Sequence, residues 1–153
     1  MKNPDTPTDT QAILSVIDAQ SQLQNHLAAA LGDMYGLSLN DLLILLHLDQ
    51  SVGGRLRRAE LAERLELREP GVARMVAAMV KRGWVTRPAD NRDARVGYVM
   101  LTTAGHRLAR DGAKALAQLV AALFGDQRTQ QELATTTRLL DRLTSNLPGK
   151  LSA

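Results

Sequence analysis

The most constraining feature of this chain is a change of hydrophobic period at one glycine. From Pro70 to Arg82 the apolar positions are Val72, Met75, Val76, Met79 and Val80. That spacing predicts a helix with one buried stripe. Pro70 suits its first turn, where a missing N–H has no intrahelical partner to lose, and Gly83 suits its C-terminal cap. Beyond Gly83, Trp84–Arg87 and Val96–Thr102 alternate roughly and carry β-branched and aromatic residues. Between them lies a polar, charged stretch, Pro88–Arg95, so the segment reads as a hairpin with a long tip.

The neighbouring segments extend this pattern. Ile13, Val16, Ile17, Gln20, Leu23, Leu27 and Leu31 predict a helix over 11–31, with Gly32 and Gly36 bracketing a break. Ser38-Leu39-Asn40-Asp41 offers caps for a short apolar helix over Leu42–Leu48. Ser51–Gly54 reads as a turn, and Ala59–Leu65 as a short helix. Thr102 and Thr103 offer a cap for a long helix carrying Leu108, Leu116, Leu119, Val120 and Leu123. Gly125-Asp126 breaks it, and a last helix carries Leu133, Leu139, Leu140, Leu143 and Leu147.

Composition excludes several classes. The 153 residues contain no cysteine, so disulfides, thiolate metal sites, cysteine nucleophiles and thiol redox sensing are ruled out. Aromatics are 3% of the chain, too few for a base-stacking surface on single strands. The polar start and the shortness of the longest apolar run lead to the expectation of a soluble, cytoplasmic protein without membrane contact. No nucleophile–base pairing, metal-ligand spacing or phosphate-cradling glycine loop stands out, so neither enzyme activity, nor a cofactor, nor a metal is expected.

Charge is placed unevenly. The chain nets +3, but Arg55–Arg95 holds eleven basic and six acidic residues, leaving the remainder slightly negative. A basic centre between faintly acidic arms suggests a module that faces a polyanion. Two short helices joined by a tight turn and followed by a hairpin are a helix-turn-helix candidate, whose second helix enters a major groove. At its start, Glu69, Gly71, Ala73 and Arg74 face outward. Small residues allow close backbone approach, and Arg74 has the donors for a guanine or a phosphate. Arg92 and Arg95 on the hairpin tip could reach an adjacent minor groove, with Asp93 steadying Arg95.

These residues resemble the winged helix-turn-helix core of MarR-type bacterial transcription regulators. Arg58–Leu65 is similar to the first motif helix, and Pro70–Val85 to the recognition helix. Asp93-Ala94-Arg95 followed by Val96–Thr102 is similar to the wing, with its Asp-x-Arg pair. The resemblance implies a mainly α fold with a small β-hairpin wing: a winged helix-turn-helix core at 38–102, and a helical dimerisation region at 11–37 and 103–153 built from the N- and C-terminal helices. Residues 1–10 are expected to form a flexible tail. It further implies a homodimer on palindromic double-stranded DNA, acting as a repressor released by a small-molecule effector. The resemblance assigns Pro70, Gly71 and Arg74 on the helix and Asp93 and Arg95 on the wing to DNA, and the outward-facing Glu69 and Ala73, with Arg68 and Arg92, complete the expected DNA-binding set. His26, Tyr35 and His47 are candidates for the effector pocket. The sequence departs from the family pattern at Ala73, at Ala94 and at Arg68, which stands where a capping Ser or Thr is usual.

Plainer readings stand beside these. Met75 and Met79 fit core packing, and Trp84 fits a plug between wing and helices. His26, His47 and His106 lie on separate helices and fit satisfied or surface positions. Glu60, Glu63 and Glu66 could pair with Arg57, Arg64 and Arg68, making the basic centre a solvated face. The terminal helices could form an intramolecular bundle, and the chain could be a helical dimer that binds protein or small molecules without DNA.

Overall fold

The computed structural model describes residues 8–88, 97–124 and 130–145. In chain order the elements are α1 (Thr8–Tyr35), α2 (Leu39–Asp49), a 3-10 turn (Val52–Gly54), β1 (Arg55–Arg57), α3 (Arg58–Arg64), α4 (Glu69–Lys81), β2 (Val85–Thr86), β3 (Tyr98–Leu101), α5 (Thr103–Phe124) and α6 (Gln130–Ser145). The chain divides into a unit through Ala117 and a second unit from Gln118 onward.

The expected helices form, with three corrections. First, α1 continues through Gly32 to Tyr35. A lone glycine costs a helix only about 1 kcal/mol, and the stop comes at Gly36, which takes a left-handed φ of 62°. Second, the sheet has three strands in the order β1-β3-β2, not a hairpin alone. β3 pairs antiparallel with both neighbours, Leu56 opposite Val99 and Val85 opposite Leu101. Third, Val80 leaves the buried stripe of α4 and is 36% exposed, while Val72, Val76 and Met79 are buried and Met75 packs partly against the core.

Local chemistry explains the boundaries. Ser38 caps α2 by accepting from the Asp41 N–H at 3.1 Å, and Asp41 accepts from the Ser38 N–H in return, also at 3.1 Å. This reciprocal pair satisfies two donors that a helix start otherwise leaves open. Pro70 stands in the first turn of α4 as expected. Between α3 and α4, Glu66 adopts φ 52°, and the Leu67 N–H donates to the Ala62 carbonyl at 2.9 Å, closing a tight turn.

The core of the first unit gathers around α2, whose Leu42, Ile44, Leu45 and Leu48 are all fully buried. Leu31, Leu61, Val72, Val76, Met79 and Val99 close around them. Each such side chain contributes about 1.5–3 kcal/mol relative to exposure. Helix α5 packs tightly here: a Cβ on Gly112 would lie within 2.4 Å of Leu42 Cδ1. Only Leu27 and Leu31 of α1 are buried, and Ile13, Leu14, Val16, Ile17 and Leu23 of that helix stay exposed. In the second unit, Leu139, Leu140 and Leu143 of α6 are exposed likewise.

Thr102 ties three elements together. Its N–H donates to the Trp84 carbonyl at 3.1 Å, its hydroxyl donates to the Gly83 carbonyl at 2.7 Å, and that hydroxyl accepts from the Gly105 N–H at 3.0 Å. The end of α4, the end of β3 and the start of α5 are thereby held in one arrangement. Arg82 adds a second tie: its guanidinium lies 4.8 Å from the centroid of the Trp84 ring and donates to the Gly36 carbonyl at 3.2 Å. Trp84 is partly buried against the core, as a plug would be.

Candidate nucleic-acid interface

Helix α4 presents its first turn to solvent because its opposite face is fixed to the core. Arg68, Glu69, Pro70 and Arg74 are exposed, and Gly71 and Ala73 are half-buried. Arg68 holds the capping position with no side-chain bond to the helix. Its carbonyl accepts from the Gly71 N–H at 2.9 Å and the Val72 N–H at 3.3 Å, while its side chain projects into solvent. The replacement of a capping Ser or Thr by arginine therefore gives up a cap and leaves a cation at the mouth of the helix.

A groove of about 590 Å³ runs along this start. Of the six helix residues grouped from the sequence, Arg68, Pro70, Gly71 and Arg74 line it and Glu69 and Ala73 do not. Asn40, Leu67 and Met75, which the sequence reading did not assign to the site, line it as well. Asn40 comes from the first turn of α2, about thirty positions away in the sequence, and only the tertiary fold brings it there. Two guanidiniums beside an amide form a donor-rich rim, suited to acceptor-only groups such as phosphate oxygens or to the acceptors on a base edge.

The ion pairs that would have neutralised this face are absent among the described residues. Arg57, Arg64 and Arg68 make no salt bridge with Glu60, Glu63 or Glu66; the pair found is His106 Nδ1 with Asp49 Oδ1, at 2.7 Å. Glu60 instead accepts from the Arg57 backbone N–H at 2.7 Å. The Arg57 side chain donates from Nε to the Tyr98 hydroxyl at 3.3 Å, which raises its already high pKa further.

Arg92, Asp93 and Arg95, the wing residues of the sequence reading, lie outside the described residues. His26 is exposed on α1, Tyr35 packs against the core at the end of that helix, and His47 is half-buried on α2. None of the three lines the groove. Burial, with a smaller contribution from the nearby Arg64 charge, holds the His47 imidazole below its usual pKa of 6.5. Among the described residues, no three His, Asp or Glu side chains converge as metal ligands would.

Comparison with known proteins places this geometry. Residues 35–96 match the MarR family. No curated protein matches the chain. Among solved structures, AbsC, a MarR family transcriptional regulator from Streptomyces coelicolor, has a TM-score of 0.84 at 25% identity, over 95% of this chain and 97% of that one. Sco3205, a MarR family transcriptional regulator of the same organism solved in complex with DNA, has a TM-score of 0.83 at 24% identity, covering 98% and 95%. A mutant MarR from E. coli complexed with operator DNA has a TM-score of 0.71 at 20% identity, covering 89% and 94%. The mainly helical fold with its small antiparallel sheet is shared along nearly the whole chain, and the matched segment spans α2, α3 and α4. Residues 35–96, about two fifths of the chain, thus match the MarR family, and the chain shares the fold of MarR family transcriptional regulators.

Proposed function

We propose that this chain is a homodimeric, sequence-specific regulator of transcription that binds palindromic double-stranded DNA, most simply as a repressor. In this reading α4 enters the major groove. Arg74 and Arg68 contact bases or phosphates, and Glu69, Pro70, Gly71 and Ala73 set how closely the helix backbone approaches. Arg92 and Arg95, with Asp93 steadying the latter, serve the flanking minor groove. The observation that carries the reading is the start of α4: a helix anchored on one face, whose open face bears two arginines with no carboxylate paired to them among the described residues. The likeness to Sco3205, whose structure contains DNA, supports the same use of the fold.

A single head reads few base pairs and binds weakly, so two are needed on one duplex. The segments 11–37 and 103–153 supply the dimer frame around the DNA-binding portion at 38–102. Exposed Ile13, Leu14, Val16 and Ile17 on α1, and Leu139, Leu140 and Leu143 on α6, support this, since such apolar side chains need a partner surface. A small effector that releases DNA completes the reading. With no cysteine in the chain, that signal is a non-covalent ligand and not thiol oxidation. The protein acts where its DNA is, in the cytoplasm.

The test is binding to a labelled duplex taken from beside the chain's own gene. Tight binding by a dimer, lost steeply between 50 and 200 mM salt, is expected for several phosphate contacts. Replacement Arg95→Ala weakens it without unfolding the protein. No binding at the lowest salt, or a monomer in solution, would overturn the proposal.

A further inference from the structure

The root of the wing carries a second arginine site. Arg58, Arg87, Gly97 and Tyr98 enclose a cavity of about 180 Å³ where β2 ends and β3 begins. Among the described residues that line it, two are arginines and none is a carboxylate. The Nε of Arg58 is buried and has no hydrogen-bond partner among the described residues. Buried donors normally find acceptors, so an orphan on a cation points to an acceptor that arrives from outside.

The surroundings hold the site open. Gly97 lies against the guanidinium: a Cβ there would sit 2.9 Å from both Nε and Nη2 of Arg58, and φ at Gly97 is 73°. Only glycine leaves that space. The Arg58 N–H donates to the Gly97 carbonyl at 3.1 Å, which fixes the two backbones together. Glu60, the carboxylate nearest to Arg58 in sequence, is engaged by the Arg57 N–H. Tyr98 is kept in place by the guanidiniums of Arg55 and Arg57, 5.1 and 5.5 Å from its ring centroid. Neither Arg58 nor Arg87 has a carboxylate partner among the described residues.

The geometry points to Arg58 and Arg87 as a paired clamp for one backbone phosphate of the DNA. This rests on the DNA-binding reading above. A phosphate oxygen is acceptor-only, small and charged, which suits a cavity that two guanidiniums line. Its position selects a phosphate of the duplex. If the segment between β2 and β3 enters a groove, its root stands over the sugar–phosphate ridge that borders that groove. The clamp carries no sequence information; it sets the depth and register of the wing.

The experiment uses the full chain, a labelled 30-base-pair duplex of arbitrary sequence, and a second duplex from beside its own gene. Binding of wild type, Arg58→Gln, Arg87→Gln and the double variant is measured by anisotropy across a salt series, with thermal melts in parallel. The double variant is expected to bind both duplexes roughly tenfold more weakly, by the same factor on each. The slope of log K against log salt should flatten by about 1. The two single losses should sum to more than the double loss, because both side chains serve one phosphate. Arg58→Lys should keep the slope while weakening binding. An unchanged slope in the double variant overturns the clamp, whether or not its melting temperature drops, since a purely structural role moves only the melt. It is equally overturned if inorganic phosphate shifts the Arg58 Nε–H resonance of the wild type while the slope stays unchanged, which identifies a free-anion site. Failure of the wild type to bind either duplex is a different result; it removes the DNA-binding reading and the clamp with it.

Discussion

Gly105 offers the sharpest test of how the wing is held to its scaffold. A Cβ at this position would lie 2.0 Å from the Trp84 carbonyl oxygen, 3.1 Å from its carbonyl carbon and 3.0 Å from Leu101 Cδ2. An ordinary carbon–oxygen contact is at least about 3.3 Å, so the start of α5 and the Trp84 backbone must part by over 1 Å. The same carbonyl accepts from the Thr102 N–H at 3.1 Å. Separation on that scale breaks this bond and strains the Thr102 hydroxyl bridge to Gly83. One or two hydrogen bonds at about 1 kcal/mol each, with overpacking at about 1–3 kcal/mol, outweigh a helix-propensity gain of about 1 kcal/mol. Gly105→Ala should therefore lose about 3 kcal/mol. For a chain of this size that lowers the melting temperature by roughly 6–12 °C. Gly32→Ala is the matched control, because it lies inside α1 with nothing within 4 Å of its Cβ. It should gain about 0.5–1 kcal/mol. Melts followed by circular dichroism compare the two. A Gly105→Ala protein as stable as wild type would refute the reasoning about the Thr102 junction.

Three further outcomes follow from the same geometry. Arg74→Ala should cost roughly 1–3 kcal/mol in operator binding and relax preference at one base pair if it reads a base, measured by competition between operator variants; an unchanged affinity removes Arg74 from the interface. Glu66→Gly should stabilise by up to about 1 kcal/mol, because glycine takes φ 52° without the side-chain penalty although it adds entropy to the unfolded chain; urea midpoints decide the sign. His47 should make stability fall with acid: its folded pKa lies below the usual 6.5, so between those two values the unfolded chain binds the extra proton. Stability is therefore full above about pH 7, declines as pH falls through 6.5, and levels off once His47 is protonated in the folded chain too. His47→Gln should remove that part of the decline in melts between pH 7.5 and 5.5, and identical pH profiles would count against it.

Much of this protein was legible without coordinates. The 3.6-residue spacing of Val72, Met75, Val76, Met79 and Val80 committed 70–82 to one buried face, which holds except at the exposed Val80, and the glycine at 83 followed by Trp84 and Val85 marked the change to strand. Residues that repeat along a single element declare their burial, because each helix or strand has its own period. The same periodicity put Glu69, Gly71, Ala73 and Arg74 on the outward face, where Glu69 and Arg74 are exposed and Gly71 and Ala73 half-buried.

The remainder depended on contacts between distant segments. Strand β1 is three residues long, and Arg55-Leu56-Arg57 has too few positions to show alternation; it is a strand because β3 supplies its hydrogen bonds. Gly32 looked like a break and is not, since packing of Leu27 and Leu31 outweighs one residue's propensity. Asn40 joins the rim of the groove, and Arg58 shares a cavity with Arg87, through proximity that no local pattern encodes. The sequence by itself settled which faces are apolar and where elements change, because those are properties of neighbours along the chain. Only the tertiary structure decided which arginines lack a carboxylate among the described residues, because charge pairing depends on what the fold brings within a few ångströms.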